Sequence, residues 1–266
     1  MLAMQDRKPH LLIVGGTGEA VAVARAVAAA YGDRIRMTSS LAGRTRAPAS
    51  IPGAVRIGGF GGPDGLRAWI NANEVDAVID ATHPFAARMS ANVEQAVDSL
   101  PGPRLKSLCL ARPAWAPQPG DDWRMVDDAA AAAAILPSIG RRAFLAMGAS
   151  DLGAFSGVAG VYFLIRVIDM PDSKLPLAKY DIVAARGPFS KTGEMRLMED
   201  HRIDVVVSKN SGGDATVAKL DAAREAKLPV IMIARPLAKI TGDTAETTEQ
   251  ALAWLRRVVG PELKPG

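Results

Sequence analysis

The sequence predicts an α/β protein made of two doubly wound, Rossmann-like domains whose parallel sheets face a shared cleft. Short apolar segments alternate with helical patterns along almost all of the 266 residues, which is the order of elements in such folds. The apolar segments, of which His10–Val14 is an example, show little polar alternation, as is typical of strands covered on both faces. One proline-rich segment, Arg112–Asp121, interrupts the alternation and predicts a linker.

The predicted elements follow each other in two series. A first domain is expected over residues 1–115, with strands at His10–Val14, Arg34–Thr38, Ala54–Ile57, Asp76–Asp80 and Arg104–Leu110, and helices at Glu19–Tyr31, Asp64–Asn73 and Phe85–Leu100. A second domain is expected over residues 116–266, with strands at Arg142–Met147, Val161–Val167, Asp181–Ala185, Asp204–Ser208 and Pro229–Ile233, and helices at Lys191–His201, Ala215–Ala226 and Thr247–Val259. An alanine-rich helix follows Asp127 and Asp128, which are typical capping residues.

Composition excludes several classes of protein. The chain is 48% hydrophobic and 23% charged, so it is not globally disordered. No apolar segment approaches the roughly 18 residues of a membrane span, and the charged segment Met1–Pro9 is not a secretory signal; we therefore expect a cytoplasmic protein without a membrane partner. A single cysteine and three scattered histidines predict neither disulfides nor a metal site.

The basic residues favour a small anionic ligand over nucleic acid. Arginine supplies 22 of the 32 basic residues, and its planar fork suits phosphate and carboxylate. A compositional bias towards arginine and alanine explains the same count equally well. Only 5% of the residues are aromatic, and no basic cluster is interleaved with them, so no nucleic-acid partner is expected.

The first candidate site is the glycine-rich turn after the first strand, formed by Gly15, Gly16, Thr17, Gly18 and Glu19. Such a turn lets a ligand approach the backbone, and the N–H groups of the following helix can bind a phosphate. Only the first two glycines of the dinucleotide fingerprint are matched, because valine occupies the third position. The alternative is an ordinary strand-to-helix turn capped by Thr17.

The second candidate site is the loop expected after the second strand. A cofactor with a free 2′-hydroxyl usually meets an acidic residue there, whereas this loop offers Ser39, Ser40 and Arg44 and no acid. Hydroxyl and guanidinium groups suit a phosphate, so the segment favours NADP over NAD. The alternative is a solvated loop.

Polar groups at three further strand ends form the third candidate site. Thr82 and His83 follow the fourth strand, Arg186–Ser190 follows Asp181–Ala185, and Ser208–Gly213 follows the next strand. Lys209 is a hydrogen-bond donor at a strand's carboxyl end, where ligands of open sheets bind. His83 is either a general acid or a helix cap; His10 and His201 are interpreted as structural.

Five segments follow one another along the chain: Gly15–Glu19, Ser39–Arg44, Asp80–Ala86, Arg186–Phe189 and Ser208–Gly213. Together they resemble the precorrin-6A reductases of cobalamin biosynthesis, and the resemblance extends from Leu11 to about Trp254. It implies NADPH-dependent reduction of one macrocycle double bond, from precorrin-6A to precorrin-6B. The implied partners are this small corrin precursor and, beyond it, other enzymes of the same pathway.

The resemblance also implies residue roles. The implied cofactor residues are Gly15, Gly16, Thr17, Gly18, Glu19, Ser39, Ser40, Arg44, Thr82 and His83, and the implied substrate residues are Arg186, Gly187, Pro188, Phe189, Lys209, Asn210, Ser211 and Gly212. Lys209 and His83 are the candidate catalytic residues. We expect Lys209 to deliver a proton, to orient a water that does so, or to stabilise developing negative charge.

Two rival functions remain at this point. An NADP-binding regulatory module would use the same loops without turnover. A short-chain dehydrogenase is disfavoured, because none of the three tyrosines has a lysine four residues later.

Overall fold

The computed structural model of the chain describes residues 7–43, 50–100, 105–236 and 242–259. These residues form two compact α/β units. The first contains the described residues up to Arg112 together with those after position 241, and the second is Pro113–Pro236. None of the described helices is long and apolar enough to cross a membrane.

The first unit has a six-stranded parallel sheet with helices between its strands. Its strands are β1 (His10–Val14), β2 (Arg36–Leu41), β3 (Ala54–Ile57), β4 (Ala77–Asp80), β5 (Lys106–Leu110) and β12 (Asp243–Ala245), and its helices are α1 (Gly18–Tyr31), α2 (Pro63–Ala72), α3 (Ala87–Asp98) and α7 (Thr248–Val259). The strand order is β12-β5-β4-β1-β2-β3. The apolar side chains of β1 are buried on both faces, as expected for a central parallel strand.

The second unit repeats this plan. Its strands are β6 (Trp123–Val126), β7 (Arg142–Ala146), β8 (Tyr162–Val167), β9 (Tyr180–Ala184), β10 (Val205–Lys209) and β11 (Val230–Ile233), and its helices are α4 (Ala129–Ile139), α5 (Lys191–Asp200) and α6 (Ala218–Glu225). The parallel strands are ordered β6-β11-β10-β7-β8-β9. A 3-10 helix, Ala149–Phe155, follows β7. The predicted α/β fold with two parallel sheets is confirmed.

The predicted domain boundary is wrong at the C-terminal end of the chain. β12 pairs with β5 in register Asp243 to Leu108, and Ala251, Trp254 and Leu255 of α7 are buried in the first unit's core. Residues 116–266 are therefore not one domain. The sequence missed β12 and β6 because both are short and neither is a continuous apolar segment.

His10 is a buried polar residue at the start of β1. Its Nδ1 lies 2.9 Å from the Asn73 carbonyl oxygen and its Nε2 lies 2.8 Å from the Thr38 hydroxyl. Burial, together with the charges of Arg36 and Arg7, lowers the pKa of His10 despite the opposing effects of Asn73 and Asp76. The interpretation of His10 as structural agrees with this position.

The lowered pKa predicts that His10 destabilises the fold in acid. The unfolded chain takes up the proton at a higher pH than the folded chain, so the free energy of unfolding falls as the pH drops through about 6.5. In His10→Gln the slope of the unfolding free energy against pH should fall by the equivalent of up to one bound proton. Denaturant unfolding between pH 7.5 and pH 5 measures this slope. Equal slopes for the two proteins would contradict the assignment.

Candidate functional site

The strand order reverses at one place in each sheet. In the first sheet β1 is paired with both β2 and β4, and in the second β7 is paired with both β8 and β10. At such a reversal the loops after the two neighbouring strands diverge and leave room for a ligand at the carboxyl edge of the sheet. The candidate residues after β1, β4 and β10 therefore lie at these two reversal points.

Gly15 is required by the close approach of two loops in the first unit. Its φ is +129°, and a Cβ at this position would lie 2.4 Å from the Ala81 carbonyl oxygen. The Gly15 N–H donates to the Ser40 carbonyl at 3.0 Å. A larger residue would thus push apart the turns that follow β1 and β4.

Thr17 and Gly18 begin α1. The Thr17 hydroxyl accepts a hydrogen bond from the Ala20 N–H at 3.1 Å and donates to the Ala81 carbonyl at 2.8 Å. Around a Cβ added at Gly18 there is nothing within 4 Å, and around one at Gly16 the nearest atom is 3.5 Å away. The start of α1 is consequently fixed in place but open towards a ligand.

Glu19 forms an ion pair with Arg112, which the sequence had placed in a linker. Burial acts to raise the pKa of Glu19, but the charge and hydrogen bond of Arg112 outweigh it and hold that pKa below its usual value. Both residues line a shallow depression with Thr17, Thr82 and Leu110. Arg112 thus compensates the negative charge that would otherwise repel a pyrophosphate.

The predicted loop position of Ser39 and Ser40 is wrong. Both lie inside β2, 2% and 4% exposed, because β2 continues to Leu41 between β1 and β3. The Ser40 hydroxyl accepts a hydrogen bond from Arg56 at 2.9 Å, and the Ser39 hydroxyl is buried without a hydrogen-bond partner. Their side chains are not accessible to a phosphate. Arg44 lies outside the described residues.

Arg56 is a basic residue near the same strand ends that the sequence reasoning missed. It donates to the carbonyl oxygens of Gly58 and Gly59 and stacks on the Phe60 ring at 3.7 Å. Burial lowers its pKa. Its position on a short, apolar strand gave no signal of a site.

Thr82 and His83 follow β4. The Thr82 N–H donates to the Asp80 carboxylate at 3.0 Å, and its hydroxyl lies 3.1 Å from that of Ser90. His83 is exposed, and its Nδ1 accepts from the Phe85 N–H at 3.3 Å. This bond is that of a turn preceding α3, which begins only at Ala87.

Cys109 lies beside Asp80 in the sheet but is not suited to nucleophilic chemistry. Burial, with the charges of Asp80 and Glu94, raises the pKa of the Cys109 thiol to about 11. Within the described ranges, no group of three His, Cys, Asp or Glu side chains could hold a metal ion.

Lys209 is the last residue of β10 and forms an ion pair in the second unit. Its Nζ lies 2.5 Å from the Asp151 carboxylate, and Asp151 belongs to the 3-10 helix that follows β7. The structure thus places Lys209 at the reversal point of the second sheet with a partner that the sequence did not indicate.

Asn210 connects the loop after β10 to the segment that begins the second unit. Its carboxamide accepts from the Trp115 N–H at 2.8 Å and donates to the Trp115 carbonyl at 3.0 Å. Arg235 donates to the carbonyl oxygens of Asn210 and Ser211, and both residues are 7% exposed. Both polar groups of the Asn210 carboxamide thus have partners within the protein, and the substrate-binding role of Asn210 stays a prediction.

Gly212 has φ +66°, and a Cβ there would lie 2.0 Å from the Pro113 carbonyl oxygen. It is thus required for packing within the second unit.

The segment after β9 is only partly directed to solvent. Arg186 and Pro188 are exposed, but Phe189 packs under the Arg166 guanidinium at 3.9 Å. A Cβ at Gly187 would lie 2.9 Å from the Ala215 carbonyl. Phe189 and Gly187 therefore shape this loop, and Arg186 is its accessible cation.

Comparison with known proteins identifies the family. The family model "Precorrin-6x reductase CbiJ/CobK" matches residues 10–256. The chain belongs to this family. A precorrin-6A reductase of Rhodococcus erythropolis is 47% identical over 92% of this chain and 97% of its own length, and one of Rhodobacter capsulatus is 43% identical over 92% and 95%.

A solved structure of the same family has the same fold. The structure titled "CobK precorrin-6A reductase" has a TM-score of 0.85 and 43% identity to this chain, covering 93% of it and 96% of the other chain. The resemblance inferred from the five sequence segments is confirmed, and so is the interpretation of the protein as a reductase.

The close contact at Gly15 predicts unequal effects of two glycine substitutions in this reductase. Gly15→Ala forces alanine into a positive φ against the Ala81 carbonyl, which costs about 2 kcal/mol or more and should lower the thermal unfolding midpoint by about 5 °C. Gly18→Ala is the matched control, because its Cβ meets open space at the start of a helix. A smaller loss for Gly15→Ala than for Gly18→Ala would contradict the described packing.

Proposed function

We propose that the protein is an NADPH-dependent oxidoreductase that reduces precorrin-6A to precorrin-6B in cobalamin biosynthesis. The observation that carries this proposal is the match to the precorrin-6x reductase family across residues 10–256. The local chemistry supports it, because each sheet has polar residues at the reversal point where ligands of such folds bind.

The residues at the first reversal point fit a dinucleotide. The turn Gly15–Gly18 and the open start of α1 offer backbone N–H groups to a pyrophosphate, and Arg112 offsets the charge of Glu19. An acidic residue after β2 would favour a cofactor with a free 2′-hydroxyl. The described positions that follow β2, 42 and 43, hold no acidic residue. We assign the 2′-phosphate to Arg44, with Arg56 as the second cation near the end of β2.

When bound, NADPH supplies the hydride for one carbon of the macrocycle double bond. The chain must position NADPH and the macrocycle and provide a route for a proton to the neighbouring carbon. Thr82 and His83, at the end of β4, would border the part of the cofactor beyond the pyrophosphate. His83 is exposed, and we propose it as the alternative to Lys209 as proton donor.

The second unit supplies groups suited to the substrate, whose acetate and propionate arms are anionic. Arg186 is an exposed cation on the loop after β9, and Lys209 ends β10. Guanidinium and ammonium groups bind carboxylates through charge-assisted hydrogen bonds. Lys209 delivers the proton, orients a water that does so, or stabilises developing negative charge.

We further propose that the substrate is metal-free. The relatives at 43–47% identity are named precorrin-6A reductases without reference to cobalt.

The proposal is tested by anaerobic incubation of the protein with NADPH and precorrin-6A, following the visible spectrum of the macrocycle and the absorbance of NADPH. We expect equimolar loss of NADPH and formation of the reduced macrocycle, slower turnover with NADH, and slower turnover of cobalt-precorrin-6A. NADPH binding without reduction of either macrocycle would favour the regulatory module instead.

A further inference from the structure

The loop Arg186–Phe189 ends where α5 begins. Ser190 is the N-cap of α5, and its hydroxyl accepts a hydrogen bond from the Gly193 N–H at 3.1 Å. Phe189 directly precedes this cap, and its N–H donates to the Ala215 carbonyl at 3.3 Å. The direction in which the loop enters α5 therefore depends on what holds Phe189.

Phe189 and Glu194 occupy the two positions that a hydrophobic staple joins at the start of a helix. In such a staple the residue before the N-cap packs on the fourth helical residue and fixes the angle at which the chain enters the helix. Here the fourth helical residue is the glutamate, which offers a carboxylate to the ring of Phe189 instead of an apolar side chain. A third residue has to join the two positions.

Arg166, the second-last residue of β8, joins them. One terminal nitrogen of its guanidinium lies 2.8 Å from Glu194 Oε1 and 3.0 Å from Oε2. The Arg166 Cζ lies 3.9 Å from the centroid of the Phe189 ring and 4.8 Å from that of Phe144 in the second unit's core. A planar guanidinium forms an ion pair through its N–H groups and stacks on rings through its faces, which the compact ammonium group of lysine does not do.

The ion pair between Arg166 and Glu194 is buried. The two side chains are 10% and 2% exposed, so solvent screens their charges little. Replacing such a pair by apolar residues of similar volume is often neutral or stabilising, because both charges lose their hydration on burial. The position that the pair gives to Phe189 therefore explains its presence better than a gain in stability does.

We infer that Arg166, fixed by Glu194, is the positioning residue of the loop Arg186–Phe189. By holding Phe189 it holds the exposed cation Arg186 at the carboxyl edge of the second sheet. This inference rests on the proposed function, in which Arg186 suits an anionic arm of the macrocycle. Arg166 itself touches neither substrate nor cofactor.

The first test is the kinetics of Arg166→Lys, which keeps a positive charge beside Glu194 and removes the planar group that stacks on Phe189. We expect the KM for precorrin-6A to rise about fivefold, the equivalent of one desolvated cation–π contact, because the loop presents Arg186 for less of the time. The kcat and the KM for NADPH should each change by less than about twofold, because only binding of the macrocycle is weakened.

Arg142→Lys is the matched control. Arg142 stacks on Tyr162 at 4.1 Å, but these are the first residues of β7 and β8 and lie at the amino edge of the same sheet. The substitution thus removes an equivalent stacked guanidinium far from the loop. It should leave the KM for precorrin-6A unchanged.

The second test does not depend on turnover. Hydrogen–deuterium exchange of the ligand-free protein reports the hold on the loop through the Phe189 N–H. In Arg166→Lys this amide should exchange about fivefold faster than in the wild type, while Arg142→Lys should match the wild type there. If Arg166→Lys does not fold, the double substitution Arg166→Met with Glu194→Gln removes both charges together and carries the same expectations.

The outcomes separate this inference from the function on which it rests. A wild-type KM for precorrin-6A in the folded Arg166 variant, or wild-type exchange at Phe189, would overturn the positioning role and leave the proposed function in place. A KM raised equally by Arg142→Lys would also overturn it, because the effect would then be a general loss of stability. Wild-type protein that binds NADPH but reduces no macrocycle would overturn the proposed function and, with it, the role of this loop in the reaction.

Discussion

The Ala81 carbonyl oxygen joins the two loops on which the first unit's candidate site depends. It accepts the Thr17 hydroxyl at 2.8 Å and lies so close to Gly15 that no side chain fits between them. This one contact sets where β1 ends, where α1 begins and where the loop after β4 leaves the sheet. Glycine at position 15 is therefore a packing requirement, whereas Gly18, with open space beside it, is the glycine of the turn that we propose to face the cofactor.

In the second unit, different residues fix the loop of the candidate site in place. Its loop after β10 is held by the carboxamide of Asn210, the guanidinium of Arg235 and the missing side chain of Gly212. These contacts involve the Asn210 side chain and the backbone carbonyl oxygens of Asn210 and Ser211. Lys209, held by Asp151, is the member of this segment whose charged group lies at the edge of the sheet. Each candidate site thus combines residues that build the loop with a smaller number that we propose to contact a ligand.

Much of the fold and part of the candidate site could be predicted from the sequence. Apolar segments such as β1 and β10 are recognisable as strands because strands buried on both faces need no polar alternation. The end of the first such segment also predicts the turn at Gly15–Gly18. β12 could not be predicted, since three residues with two polar side chains carry no periodicity. Ser39 and Ser40 were misplaced because hydroxyl residues usually indicate a turn, whereas here neighbouring strands cover them on both sides.

Partnerships between distant residues were the main feature that the sequence did not reveal. Arg112 compensates the charge of Glu19, which lies 93 positions away in the sequence. Asp151 forms an ion pair with Lys209, which lies 58 positions away. Nothing local in either segment indicates these pairs, because the sheet order creates them. The hydrogen bonds between Asn210 and Trp115 were not predictable for the same reason, since Trp115 lies far away in the chain.

The central claim is that the first unit's reversal point binds the dinucleotide and the second unit's does not. Hydrogen–deuterium exchange of the protein with saturating NADPH and without substrate tests it directly. We expect slower exchange of the backbone amides at Gly16–Ala20 and at Thr82, with no change at Lys209–Gly213. Protection at Lys209–Gly213 in place of Gly16–Ala20 would contradict it.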